Sequence, residues 1–206
     1  MINISGNHTV NFFETQFQKQ VRDNEFALNP FEQLALKYLK GDILDLGAGL
    51  GNLCLEAGRL GHNVLAVEAS PTAVARINTE AQAEGLAVKA IQEDIESWDI
   101  DGSFDTIIAI GLLMFFQRES ALRLLQNIQK HVKPGGIAVV NTLIEGTTFM
   151  GMFDPDKFYL FTRGELEQCF SGWTILEAVY QSFPAPEGTV KEFSTVIARK
   201  ADTSGG

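Results

Sequence analysis

The chain is poor in the residues that build covalent and metal frameworks. Its 206 residues include two cysteines, Cys54 and Cys169, and three histidines. The two cysteines have neither a paired-thiol nor a metal-ligand spacing, so a disulfide scaffold and a zinc module are disfavoured, no metal is expected, and a reduced, cytoplasmic setting is. Long apolar runs are missing too. The longest, residues 106–116, is broken by Gly111 and falls well short of the ~20 residues that cross a bilayer. No basic segment leads into an apolar core at the N-terminus, so neither a signal peptide nor a membrane partner is expected. Positive charge is scarce: 16 Lys and Arg against 26 Asp and Glu give a formal charge of −10, with no basic run. Nucleic-acid binders draw much of their affinity from phosphate contacts, so that partner is disfavoured. A small-molecule partner is expected, for a monomer or a homodimer.

Apolar residues make up 45% of the chain, enough for a substantial core in one domain of this length. Beyond residue 40, strand-like and helix-like segments alternate. Strands are expected at Asp42–Leu46, Asn63–Glu68, Ala87–Gln92, Phe104–Ile110, Ile137–Leu143, Trp173–Tyr180 and Phe193–Arg199. Helices are expected at Leu50–Leu60, Pro71–Glu84 (capped by Ser70, with proline in the first turn), Arg118–His131, and Arg163–Phe170 capped by Thr162. Lys133-Pro134-Gly135-Gly136 reads as a turn. This alternation predicts an α/β fold, a doubly wound, mostly parallel sheet with helices on both faces. Residues 1–40 form an N-terminal helical arm with helices at Thr9–Arg22 and Pro30–Leu39, residues 41–200 the main domain, and residues 201–206 a loose tail. The first helix, with Phe13 and Phe17 one turn apart, reads as packed on the core, with a lid as the alternative.

The most informative segment is Asp45-Leu46-Gly47-Ala48-Gly49-Leu50-Gly51-Asn52, which leaves a strand and opens a helix. Glycines there let backbone approach a ligand, and in open α/β sheets ligands lie beyond the carboxyl ends of the strands. Dinucleotide enzymes carry Gly-x-Gly-x-x-Gly; here Asn52 stands where the third glycine belongs. Asp45, two residues before the first glycine, is unhelpful beside pyrophosphate but suits a cationic ligand bearing an ammonium and a sulfonium. A glycine-rich turn without a ligand is the alternative. Glu68, followed by Ala69, ends the second strand, where a carboxylate can accept both ribose hydroxyls of a nucleoside. Asp94 follows the third strand and is placed to bond an adenine amino group while Ile95 packs on the ring; capping a turn is its alternative. Gly111, after the fourth strand, either admits the ligand or marks a plain bend. On the acceptor side Met114 reads as core or pocket wall, while Tyr159 and Arg163 are candidates to orient an acceptor. No residue stands out as catalytic.

In this order, Asp45–Gly51, Glu68, Asp94-Ile95, Phe104-Asp105 and Lys133–Gly136 resemble the class I S-adenosylmethionine (SAM)-dependent methyltransferases. The later segments Leu112–Phe116, Phe161–Leu166, Phe170–Trp173 and Phe193–Lys200 are similar to the tellurite-resistance (TehB-type) branch. The resemblance implies seven strands with the last antiparallel, SAM as cofactor with S-adenosylhomocysteine as product, and methyl transfer to a small molecule such as a tellurium or selenium oxyanion or a thiol. It implies cofactor contacts from Asp45, Gly47, Ala48, Gly49, Gly51, Asn52, Glu68, Ala69, Asp94, Ile95 and Gly111. In that branch a histidine and an arginine near the final hairpin take part in the chemistry, whereas this chain has no histidine after His131 and carries Phe183-Pro184-Ala185-Pro186 there. The competing readings are a SAM-binding protein without turnover and a nicotinamide-dependent oxidoreductase.

Overall fold

Apolar strands alternating with amphipathic helices resolve, in a computed structural model, into one seven-stranded sheet of order β3-β2-β1-β4-β5-β7-β6. The structure describes residues 8–202; the first seven residues of the arm and the last four of the tail lie outside them. The strands are β1 (Asp42–Leu46), β2 (Asn63–Glu68), β3 (Val88–Gln92), β4 (Phe104–Ile110), β5 (Val132–Leu143), β6 (Thr174–Pro184) and β7 (Val190–Arg199). β1 to β5 pair in parallel, and β7 runs antiparallel to both β5 and β6. The helices are α1 (His8–Asp23), α2 (Pro30–Leu36), α3 (Asn52–Arg59), α4 (Pro71–Glu84), α5 (Arg118–His131) and α6 (Glu165–Cys169). No helix among the described residues is long and apolar enough to cross a membrane.

Side chains alternate across each strand, and the sheet therefore feeds two cores. Leu44, Leu46, Ile107, Ala109, Val140 and Val196 face α5 and α6. Ile43, Val64, Ala66, Ile108, Val139 and Ile197 face α2, α3 and α4. Asp45 shares the parity of Ile43, which turns its carboxyl to the second face.

Local signals set most boundaries. Ser70 accepts the Ala73 N–H at 3.1 Å to cap α4. Asn29 and Glu32 form a reciprocal capping box around Pro30 at the start of α2. Several expectations are corrected. Lys133–Gly136 lies within β5 as an irregularity in its pairing, between the Phe104↔Val132 and Thr106↔Ile137 partners; Gly135 and Gly136 exchange backbone hydrogen bonds with Lys200. α6 begins at Glu165 after Gly164 and has no side-chain cap; the Thr162 N–H and hydroxyl instead donate to Glu165. On α5 the buried stripe is Ala121, Leu124, Leu125 and Ile128, which leaves Leu122 at its margin. β6 and β7 extend beyond the expected spans because pairing continues to Pro184↔Val190.

Candidate active site

The carboxyl ends of β1, β2 and β4 bring the glycine loop and two of the predicted acids together. The loop glycines differ in what surrounds them. A methyl on Gly51 would overlap the Ile77 side chain of α4, and Gly51 holds φ at +79°, so this glycine serves close helix packing. A methyl on Gly47 would meet Leu112 Cδ1 at 3.0 Å. A methyl on Gly49 would meet only Phe17 of α1, at 3.5 Å. Gly49 is thus the rim at which a ligand can approach backbone. The packing role that dinucleotide folds give to a later glycine falls here to Gly51. The Asn52 side chain turns away from this rim: it donates to Ala27 O at 3.4 Å and accepts from Arg76 Nη1 at 3.4 Å. Only the backbone of Asn52 remains at the loop.

Asp45 is 4% exposed and accepts no hydrogen bond from any described residue. Burial, then the neighbouring Glu32 and Glu68 carboxylates, pushes its pKa up to about 8. A carboxyl desolvated among acids stays protonated near neutrality until a cation arrives. Glu68, 9% exposed, accepts the Gly49 N–H on Oε2 and the Ser70 N–H on Oε1, both at 2.9 Å. It joins the glycine loop to the start of α4, and each oxygen keeps a second acceptor direction. Burial raises its pKa against the pull of those backbone bonds. Beside it, Glu14 of α1 accepts the hydroxyls of Ser70 and Thr72. Burial opposes Glu14 ionisation, but these bonds and that from Gln18 hold its pKa below the ordinary value. Glu14 and Glu32 were absent from the sequence-derived site. The capping box betrayed Glu32 as a helix-start residue, and no local signal brought it near Asp45.

The other predicted residues are placed as follows. Asp94 is exposed and its Oδ1 accepts the Glu96 N–H at 3.0 Å, so one oxygen closes its own turn. Ile95 is 8% exposed and packs into the α5-side core. The Ala69 carbonyl accepts the Gln92 side chain, and the Ala48 N–H reaches Val67 O at 3.5 Å. Gly111 has φ +66°, and a methyl there would meet only Met114 Cε at 3.9 Å; backbone shape requires this glycine. Met114 is buried and its sulfur accepts the Thr142 hydroxyl at 3.8 Å. Tyr159 and Arg163, the expected acceptor ligands, meet protein partners. The Tyr159 hydroxyl donates to Glu165 at 2.6 Å and accepts from Arg118 at 3.2 Å, and the Arg163 guanidinium stacks on Tyr180 at 3.8 Å. The Tyr159 hydroxyl is thus committed to protein partners, while the exposed Arg163 guanidinium keeps its N–H groups without a hydrogen bond or ion pair among the described residues.

Beyond β4 and β5 the surroundings become aromatic. Met114, Leu143, Met152 and Phe153 are buried together, with Phe12 and Phe13 of α1 packed against them. Rings continue from Phe17 to Phe13 (5.8 Å), Phe115 (5.2 Å) and Phe153 (5.4 Å). α1 therefore lies across both parts of the cleft, on Gly49 at one end and on this cluster at the other. Two cavities, of about 270 and 310 Å³, lie elsewhere: one beside Phe26 and Arg76, the other between Ile95, Trp98 and α5.

Comparison with known proteins gives a consistent picture. Residues 43–136 match the methyltransferase domain family. Over 165 residues the chain is 26% identical to a probable S-adenosyl-L-methionine-dependent methyltransferase TehB of Haemophilus influenzae (strain 10810), covering 77% of this chain and 57% of that protein. The chain thus spans a little over half the length of this curated relative. The crystal structure of TehB from Haemophilus influenzae superposes with a TM-score of 0.74 at 22% identity, covering 93% of this chain and 67% of that one. A Burkholderia thailandensis 1,6-didemethyltoxoflavin-N1-methyltransferase, solved with 1,6-didemethyltoxoflavin and S-adenosylhomocysteine, superposes with a TM-score of 0.65 at 21% identity over 97% of this chain and 92% of its own. These likenesses establish the fold as that of the SAM-dependent methyltransferases.

Proposed function

We propose, from the premise that this chain carries a methyltransferase domain over residues 43–136, that it transfers a methyl group from SAM to a small acceptor. The observation that carries this reading is the Asp45 carboxyl, buried with no hydrogen-bond donor among the described residues and raised in pKa to about 8, one strand away from a Glu68 that still has acceptor capacity on both oxygens. A buried acid left unsatisfied in this way fits a cationic partner. In this reading Asp45 ionises to hold the ammonium and Glu68 takes the two ribose hydroxyls. Gly49 lets the loop backbone come close, Gly47, Ala48, Gly51 and the Asn52 backbone complete its wall, and Ala69, Asp94, Ile95 and Gly111 border the nucleoside.

SAM, when bound, supplies a methyl group already activated on a sulfonium. The chain's own task is then to hold donor and acceptor in line and to exclude water. α1, resting on Gly49 through Phe17 and on Phe115 through Phe13, serves as the cover in this reading. The resemblance to the TehB-type branch puts tellurium and selenium oxyanions and thiols in the first acceptor screen; soft nucleophiles of this kind need no general base.

The test is titration calorimetry with SAM, followed by an S-adenosylhomocysteine assay across tellurite, selenite, thiols and phenols. SAM binding with turnover of any acceptor supports the proposal. SAM binding without turnover of any supports the binding-protein alternative, and binding of NADH in place of SAM overturns the placement of the cofactor.

A further inference from the structure

The face of the sheet that carries Asp45 continues across β5 and β7 into a surface that the cofactor does not explain. Paired residues on neighbouring strands share a face. The pairs Asn141↔Thr195 and Leu143↔Phe193, then Phe183↔Lys191, carry this face outward to the β6–β7 hairpin. The segment after β5 docks there, because the Thr148 and Phe149 N–H groups donate to Val190 O at 2.9 and 3.2 Å. Lys191 therefore lies beside the carboxyl end of β5, next to the Leu143 and Phe193 that belong to the aromatic cluster of the cleft.

Two groups on this face lack the partners that burial demands. The Lys191 side chain is half-buried, with its ammonium 4.6 Å from the centre of the Phe149 ring, and it forms no ion pair or hydrogen bond among the described residues. Burial lowers its pKa, and no carboxylate acts against that shift. Deeper on the same face, Asn141 is fully buried; its Nδ2 donates to Thr195 Oγ1 at 2.8 Å while its Oδ1 has no partner. The walls nearby are phenyl rings: Phe31 packs at a tilt on Phe193 at 4.6 Å and edge-on against Phe183 at 5.5 Å. An ammonium half removed from water with no counter-charge beside it loses part of its hydration, and one set among aromatic rings fits a ligand that supplies both an anion and a ring.

We infer that this surface receives the methyl acceptor, and that the acceptor is an aromatic ring bearing an acidic hydroxyl or thiol, held as its anion by Lys191. The inference rests on the methyltransferase reading above. An inorganic oxyanion satisfies the charge and leaves the rings unused, whereas a neutral aliphatic molecule leaves the charge unpaired. The step balances without a redox partner. The aryl O–H or S–H releases its proton to water, and the oxygen or sulfur lone pair forms the bond to the methyl carbon. The methyl–sulfonium bond breaks with its electron pair staying on the cofactor sulfur. Anion and sulfonium thereby cancel to an uncharged aryl methyl ether or thioether and a neutral thioether. The product no longer pairs with Lys191, which favours its release.

The test compares catechol, thiophenol and tellurite as acceptors for the wild-type chain, Lys191→Met and Lys191→Arg, with SAM affinity measured in parallel by calorimetry. The expected result is that one or both aromatic acceptors exceed tellurite in kcat/KM. Lys191→Met should lower kcat/KM for them at least tenfold, mainly through KM, and Lys191→Arg should recover most of the loss, with SAM affinity unchanged in both. Whether catechol or thiophenol leads tells oxygen from sulfur. SAM binding with tellurite preferred over both aromatics, or with Lys191→Met equal to wild type on them, overturns this inference and leaves the methyltransferase reading standing. Failure to bind SAM overturns both.

Discussion

On the β1–β2 side of the cleft the groups are backbone amides and carboxylates; on the β5–β7 side they are phenyl rings, thioethers and one ammonium with no ion pair among the described residues. The first side is organised by short-range geometry. Glu68 grips the loop on one flank and the α4 start on the other, and Gly51 lets α3 and α4 close on each other. The second is assembled from six separate stretches of chain, with rings from α1, α2, the turn after β4, the segment after β5, β6 and β7. A polar half with directional bonds suits a cofactor of fixed shape, and an apolar half held by packing suits an acceptor that differs from one enzyme to another. α1 bridges the two: Glu14 reaches Ser70 and Thr72, Phe13 reaches Phe115, and the Thr9 hydroxyl donates to Met152 O at 3.4 Å.

The sharpest way to break this contrast is within the glycine loop itself. Gly51→Ala should destabilise the fold by about 2–4 kcal/mol, the scale of overpacking combined with a left-handed backbone. Gly49 also holds a positive φ, +54°, so Gly49→Ala carries backbone strain too but lacks the overlap with Ile77; it should cost less than Gly51→Ala in urea denaturation while abolishing measurable SAM binding. Equal destabilisation by the two would merge the roles assigned to them.

Glu68→Ala should weaken SAM by roughly 1–3 kcal/mol, the usual scale for leaving buried polar groups unpaired, and unchanged affinity by calorimetry would refute the ribose placement. Asp45 predicts a pH dependence of definite sign. Its folded pKa of about 8 lies above its ordinary 3.8, so in the ligand-free protein its contribution to stability is full below about pH 4 and is lost as pH rises through 8. A bound cation reverses that preference. SAM affinity should therefore weaken about tenfold per pH unit from 7 to 6, with close to one proton released on binding at pH 7. Calorimetry in buffers of different ionisation enthalpy reads the proton directly, and Asp45→Asn should remove it. The smallest effect concerns the bridge. Glu14→Ala should cost about 1 kcal/mol or less in global stability while clearly accelerating amide exchange in α1. Exchange that stays as slow as in the wild type would show that the aromatic contacts hold α1 without the carboxylate.

The two halves were not equally legible in the residues. β1, β2, β4, α4 and α5 fall at the expected boundaries because alternation, Ser70-Pro71 and the glycine loop are local signals. Asp45, Gly49 and Glu68 were legible for the same reason, each standing at a strand end whose position periodicity defines. Tyr159 and Arg163 were singled out because their residue types suit an acceptor; Glu165 meets Tyr159 from six residues away, while Arg118 and Tyr180, which meet Tyr159 and Arg163, come from segments distant along the chain. Lys191 carried no signal at all, because it lies before the expected strand Phe193–Arg199 and joins β7 only through pairing that continues to Pro184↔Val190. Its solitude depends on which carboxylates the fold leaves out of reach.

From its residues alone, this chain determined an α/β alternation, a glycine loop at one strand end and acids at the next two, since each is written in spacings of a few positions. Only the tertiary structure decided that Glu14 and Glu32 join those acids, and that an ammonium stands among phenyl rings with no ion pair among the described residues. Desolvation and charge pairing depend on what surrounds a group in space, and that is set by segments distant along the chain.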